Sequence, residues 1–211
     1  LANAVMRRLT RDGEALLAAT HDTENLPDWL RRSWHHYWGK AETNTIAGLA
    51  MLPPPLDISV SKDATTWAKK LDGTVLNGQT IRREFDGDPT QLSGFAEGAW
   101  WVQDAAAAMP ARLLGQLGGK QVIDLCAAPG GKTAQLIAAG ANVTAIDNNC
   151  KRLDRLRRNL KRLNMPAKLV LSDGRHFVPD ASVDAILLDA PCSATGTIRR
   201  RPDILGRRSS T

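Results

Sequence analysis

Four short apolar runs in the second half of the chain constrain its fold more than any other feature. Val122–Cys126, Asn142–Asp147, Lys168–Asp173 and Val183–Asp189 read as strands, with helical patterns over Thr133–Ala139 and Lys151–Leu163 between them. Strands alternating with helices predict βαβ units, an α/β class and a parallel sheet covered on both faces. In such a sheet ligands bind beyond the carboxyl ends of the strands. Those ends are chemically loaded here. The first runs into a turn of small residues, Cys126, Ala127, Ala128, Pro129, Gly130, Gly131 and Lys132, and the others end at Asp147, Asp173 and Asp189. One carboxylate per tip suits a ligand with a ribose and a base, and the small residues let the backbone approach it.

The first half is more mixed. Residues 1–22 predict one amphipathic helix, a second follows Pro27 with Trp29, Leu30, Trp34 and Trp38, and a third covers Ala41–Leu52 before Pro53-Pro54-Pro55 stops it. Leu56–Val60 predicts a strand and Lys62–Leu71 a helix. Thr74–Leu76 and Thr80–Phe85 predict strands around the hairpin signal Asn77-Gly78. The alanine-rich stretch Ala99–Leu114 predicts one long helix.

Composition narrows the class of partner. The formal charge of +6 favours an acidic partner such as nucleic acid. No apolar run approaches the eighteen or so residues that a membrane span needs. Three cysteines, Cys126, Cys150 and Cys192, form an odd set without a close pair, and the histidines have no ligand spacing, so neither a disulfide framework nor a metal site is expected. A reducing cytoplasm fits best.

One rival reading can be tested on physical grounds. Residues 126–133 match a phosphate-binding P-loop, G-x-x-x-x-G-K-[ST], except that Cys126 stands where the first glycine belongs. That glycine supplies conformational freedom, and Pro129 removes a backbone donor. A nucleotide triphosphatase also leaves Asp147 unexplained. A bare strand–helix turn accounts for Gly130 and Gly131 but for only one of the four tips.

Taken together, Cys126-Ala-Ala-Pro-Gly-Gly-Lys-Thr133 and Asp189-Ala-Pro-Cys-Ser-Ala-Thr-Gly196 resemble the RNA cytosine-C5 methyltransferases, and most closely the bacterial Sun/Fmu group acting on small-subunit ribosomal RNA. Phe95-Ala-Glu-Gly98, Val102-Gln-Asp104 and Arg199-Arg-Arg-Pro-Asp203 extend the resemblance. It implies a Rossmann-like class I methyltransferase domain over 98–211, whose strands run in the order 3-2-1-4-5-7-6. An RNA-recognition subdomain over 23–97 would precede it, and residues 1–22 would be the closing helix of a NusB-like domain. It implies S-adenosyl-L-methionine as cofactor, ribosomal RNA as partner, no metal and a monomer. By the same carry-over the Cys126–Lys132 turn wraps the methionine part, Asp147 takes the ribose hydroxyls, Asp173 the adenine side, and Asp189 borders cofactor and target base.

The cysteines bear on the chemistry. Carbon 5 of cytosine is a poor nucleophile until a thiolate adds at carbon 6, so this reaction needs an activated cysteine beside a flipped base. Methylases of exocyclic amines usually carry an aromatic where Cys192 stands. In the family the attacking thiol lies in a later Thr-Cys motif and the cysteine matching Cys192 serves product release. With no such motif before Thr211, an incomplete gene product cut at both ends is expected, with a catalytically inactive, cofactor- and RNA-binding module as its consequence. The tail 205–211 is expected to be unstructured, and the outer edge of the fourth strand to lack its partner.

Two basic features remain. Lys151, Arg152, Arg155, Arg157, Arg158, Lys161 and Arg162 crowd one helix against a single Asp154. They make either a solvated face or a phosphate-contacting one. Arg199, Arg200 and Arg201 follow the Asp189–Gly196 loop and are the residues expected to hold RNA backbone. Trp29, Trp34, Tyr37 and Trp38 could stack bases, although such spacing is more often core.

Overall fold

The computed structural model describes residues 2–207 and Ser209. Leu1 of the first expected helix and residues 208, 210 and 211 of the expected loose tail lie outside the described residues. The chain divides into two compact units, residues 1–54 with 192–211, and residues 55–191.

The first unit is helical. Helix α1 (Ala2–Ala19) has no buried residue. Helices α2 (Asp28–Trp38) and α3 (Lys40–Met51), the two helices expected there, pack on each other. Leu26, Leu30, Ala47 and Ile198 make its core, with Trp29 and Trp34 packed beside them. Tyr37 and Trp38 remain exposed, so the tryptophan-rich segment is half core and half surface. The tail expected to be unstructured begins instead as a helical turn, Ile204–Arg207, whose Ile204 and Leu205 pack on this core.

The second unit holds two sheets. Strands β1 (Leu56–Val60), β2 (Thr74–Asn77), β3 (Thr80–Arg83) and β4 (Trp100–Val102) form an antiparallel sheet in the order β2-β3-β1-β4. Helix α4 (Ala64–Lys70) packs Ala64 and Ala68 against Ile58, Ile81 and Trp100. Every residue of β1 is buried. That includes Asp57, which lies opposite Arg82 and accepts two hydrogen bonds from its guanidinium, at 2.7 and 2.8 Å. Asp57 also accepts from the Ala105 amide at 2.9 Å, pinning the chain that leaves β4.

The long helix expected over Ala99–Leu114 is not there. Trp100–Val102 pairs antiparallel with β1, and only the short helix α5 (Met109–Arg112) remains. Helix propensity loses to burial: both indoles are buried, and each N–H finds an acceptor, Ser93 O for Trp100 and Gln103 Oε1 for Trp101, at 2.9 Å.

The second sheet is parallel, as predicted. Strands β5 (Gln121–Leu125), β6 (Asn142–Asp147), β7 (Lys168–Leu171) and β8 (Ala185–Leu188) lie in the order β7-β6-β5-β8. Helices α6 (Gly131–Ala138) and α7 (Cys150–Arg162) follow β5 and β6. The outer edge of β8 has no strand beside it among the described residues, and Ile186 and Leu188 are more than half exposed. The end of α7 clasps the region before β4. Arg162 donates to Phe95 O at 2.6 Å and Trp100 O at 3.1 Å, and stacks on the Phe95 ring at 4.0 Å. Gly98, at φ +69°, approaches so closely that an added Cβ would stand 1.9 Å from Arg162 O.

The Asp57–Arg82 pair gives a stability prediction. Arg82→Met removes the guanidinium from a buried carboxylate and should cost about 2–3 kcal/mol, less than for a fully buried pair because the Arg82 side chain is 40% exposed, read as a lower urea midpoint. Combining it with Asp57→Asn, which keeps an acceptor for Ala105, should restore at least half. An unchanged midpoint in Arg82→Met would contradict the assignment.

Candidate cofactor site

The site begins where β5 ends. Cys126 turns the chain at φ +59°, so a cysteine does take the left-handed conformation that its lack of glycine freedom was expected to prevent. That argument against a phosphate loop therefore falls. The turn is bound to its neighbours through the backbone. Ala127 N–H donates to Ile146 O at 3.0 Å and Ala128 N–H to Asp147 Oδ2 at 3.2 Å. From α7, Arg152 donates to Ala128 O and Asn159 to Pro129 O, both at 2.8 Å. Gly130 has φ +103°, and an added Cβ would press on Leu156 at 3.1 Å. Gly131, where an added Cβ meets nothing closer than 3.8 Å, starts α6.

The other tips lie along the same rim. Asp147 is buried, and both its oxygens already accept: Oδ1 from Asn149 N–H at 3.0 Å, Oδ2 from Ala128 N–H and the Arg152 guanidinium at 3.3 Å. Oδ1 keeps a second lone pair. Asp189 is bound to β5 through its N–H, 3.3 Å from Leu125 O, and its carboxylate takes Lys132 Nζ at 2.6 Å. Next to Asp173, Ser172 N–H donates to Asp147 O at 3.2 Å, and an added Cβ on Gly174 would stand 3.1 Å from Leu125. The Asp173 carboxylate closes a turn on Arg175, which donates from its amide at 2.9 Å and from its guanidinium at 2.6 Å. Those bonds hold Asp173 well below the usual carboxylate range.

The remaining expected site residues belong to the helical unit. Cys192 is exposed, and its Sγ accepts from Ala194 N–H at 3.3 Å. Arg199 donates to Leu52 O and Pro53 O, and Arg201 pairs with Asp203, so part of their donor capacity serves their own unit. Arg200 lies between them and donates its amide to Thr197 O. Among the described residues no three His, Cys, Asp or Glu side chains gather to hold a metal ion. Nor is any described helix long and apolar enough to cross a membrane.

Sequence reasoning undervalued Asp124, Asn149 and Arg152. Asp124 is fully buried at the end of β5; its Oδ2 accepts from Thr133 Oγ1 at 2.6 Å, and its Oδ1 has no partner. Its signal was an acid inside an apolar strand. Asn149 caps α7 by accepting from Arg152 N–H at 3.1 Å. Burial also pushes the Cys126 thiol up, with Asp147 adding to the effect, which fits a structural role better than a nucleophilic one.

Burial pushes Asp124 up to about 6, against the opposing Thr133 hydrogen bond, with Asp189 adding a smaller push and Lys132 a smaller pull. An unfolded aspartate titrates near 3.9. Between those values the native state holds the extra proton, so this group's contribution is greatest below pH ~4, falls through pH ~6 and is flat above. Asp124→Asn should therefore gain on the parent across that window, by about 3 kcal/mol in all. Unfolding of both proteins at a series of pH values measures the difference, and parallel profiles would contradict it.

Residues 111–211 match the family described as 16S rRNA methyltransferase RsmB/F. The ribosomal RNA small subunit methyltransferase B of Pseudomonas putida is 39% identical over 97% of this chain and 51% of its own length. The chain thus spans about half the length of the curated relatives it matches. Among solved structures, PH0851 superposes with a TM-score of 0.79 at 26% identity, covering 88% of this chain and 46% of its own. A methyltransferase homologue from Pyrococcus horikoshii gives 0.62 at 28% identity, over 96% of this chain and 68% of its own. The parallel sheet has the Rossmann-like fold of the class I methyltransferases, and residues 111–211 are similar to the RsmB/F family of 16S rRNA methyltransferases.

Proposed function

We propose that the rim binds S-adenosyl-L-methionine and that the protein methylates C5 of a cytosine in small-subunit ribosomal RNA. The observation that carries this reading is the convergence of the four tips, with Lys132 already committed to Asp189 at 2.6 Å. A triphosphate would meet the carboxylates of Asp147, Asp173 and Asp189, and find the loop lysine neutralised. A sulfonium nucleoside carries a cation and two ribose hydroxyls, for which an acidic rim is suited. The glycine cradle at Gly130 and the spare lone pair of Asp147 favour the same ligand.

When bound, the cofactor supplies an electrophilic methyl group. The chain's residues do the rest of the positioning. Cys126, Ala127, Ala128, Pro129, Gly130, Gly131 and Lys132 wrap the methionine part, Asp147 accepts from the ribose hydroxyls, and Asp173 faces the adenine. Asp189, oriented by Lys132, borders the target base. The reaction needs a thiolate that bonds to C6 of the cytosine while C5 takes the methyl group, and that leaves when the C5 proton is removed. None of Cys126, Cys150 and Cys192 is assigned that attack, so the nucleophile is not among these 211 residues. Cys192 serves the release step. Arg199, Arg200 and Arg201 hold RNA backbone. The same reading keeps residues 1–22, 23–97 and 98–211 as the end of a NusB-like domain, an RNA-recognition subdomain and the methyltransferase domain. It takes the protein as a cytoplasmic monomer that uses no metal.

Asp147→Asn should weaken retention of S-adenosyl-L-methionine in equilibrium dialysis at least about tenfold, some 1.4 kcal/mol. Undiminished retention would contradict the ribose assignment. After incubation of the 211-residue chain with methyl-labelled cofactor and a 16S transcript, both ligands should be bound and the RNA should stay unlabelled, whereas turnover to 5-methylcytosine would contradict the absence of the nucleophile from these 211 residues. Label in N4-methylcytosine would contradict the thiolate route.

A further inference from the structure

The outer face of α7 is explained neither by the cofactor rim nor by packing. Leu153, Leu156 and Leu160 form the buried ridge of this helix. Lys151, Arg155 and Arg158 recur on the opposite side at i, i+4 and i+7, all exposed, with Lys161 beside them. The other cations of the helix have partners inside the unit. Arg152 holds Ala128 O and Asp147, Arg162 holds Phe95 O and Trp100 O, and Arg157 pairs with Asp154. Among the described residues no acid pairs with Lys151, Arg155, Arg158 or Lys161.

Like charges three and four residues apart destabilise a helix. The sequence thus keeps an arrangement of like charges that costs stability, with Asp154, already paired with Arg157, as the helix's single acid. The ridge starts at Lys151, four residues after Asp147, and runs away from the rim to Arg158, about 10 Å further along at the usual helical rise. Successive cations stand about 4.5–6 Å apart along it, the order of the step between neighbouring phosphates of a nucleic-acid strand. A membrane-surface helix would show an apolar face beside its cations, whereas that of α7 is buried in the core.

We propose that Lys151, Arg155 and Arg158 form a track for the phosphodiester backbone of the substrate RNA. This surface begins beside the cofactor rim of its own unit. The proposal rests on the reading of an RNA substrate given above and adds where the methyltransferase domain grips it.

The test compares the 211-residue chain with its K151Q/R155Q/R158Q variant, binding a 16S rRNA transcript across 50–200 mM salt. Each phosphate that the variant no longer neutralises should lower the slope of log affinity against log salt by about 0.7–0.9, so about 2–3 in total. Affinity should fall at least tenfold, retention of S-adenosyl-L-methionine should be unchanged, and the melting temperature should be equal or higher. R157Q serves as control and should change the slope by less than any single ridge variant. If the triple variant folds poorly, R155Q and R158Q should each lower the slope by about one unit. An unchanged slope, or weaker binding at constant slope, overturns the track while leaving the RNA reading intact. Failure of the parent chain to bind the transcript would instead overturn the RNA reading, and the track with it.

Discussion

The site depends on two hydrogen bonds donated by backbone amides that tie the turn after β5 to the end of β6, Ala127 N–H to the Ile146 carbonyl and Ala128 N–H to the Asp147 carboxylate at Oδ2. Without them the Cys126–Lys132 turn would be a surface loop free to lift from the sheet. With them the carboxylate expected to grip a ribose also fixes the backbone expected to pass under it. Asn149 and Arg152 complete the arrangement, one orienting Asp147 through its amide and the other bridging Asp147 and Ala128 O. Binding residue and scaffold are here the same atoms, a form of preorganisation that lowers the cost of association.

Charge is distributed around that scaffold with a consistent sign. The tips present carboxylates, and neighbouring cations pair with them, Lys132 with Asp189 and the exposed Arg175 with Asp173. The cations left over lie on the outside of α7. A small cationic nucleoside and a large polyanion could thus approach the same domain without competing for one electrostatic surface. Asp124 adds a buried acid with one unpartnered oxygen beneath the loop, where its ionisation costs stability and couples to Asp189.

The parallel half was legible in the sequence because each strand there is continuous, apolar and punctuated by its own turn. Asn142–Asp147 matches β6 residue for residue. The Ala99–Leu114 stretch was not legible. A local alanine pattern says helix, whereas the pairing of Trp100–Val102 with β1 links residues some forty positions apart and leaves no periodic trace. The site was half legible. Residue types at the tips pointed to the rim, but that Asp173 folds onto Arg175, or that two of seven cations on α7 turn inward, is fixed by side-chain geometry. Cys126 is the instructive case. Reading it as unable to adopt a glycine-like turn overstated the steric penalty, which the surrounding hydrogen bonds outweigh.

The central claim is that this rim is shaped for a sulfonium nucleoside and not for a nucleoside triphosphate. Calorimetric titration of the chain with S-adenosyl-L-methionine and, separately, with ATP and magnesium decides between them. Saturable heat at one site with the first ligand and none with the second is the predicted result. The reverse pattern, saturation by ATP and silence toward S-adenosyl-L-methionine, would contradict it.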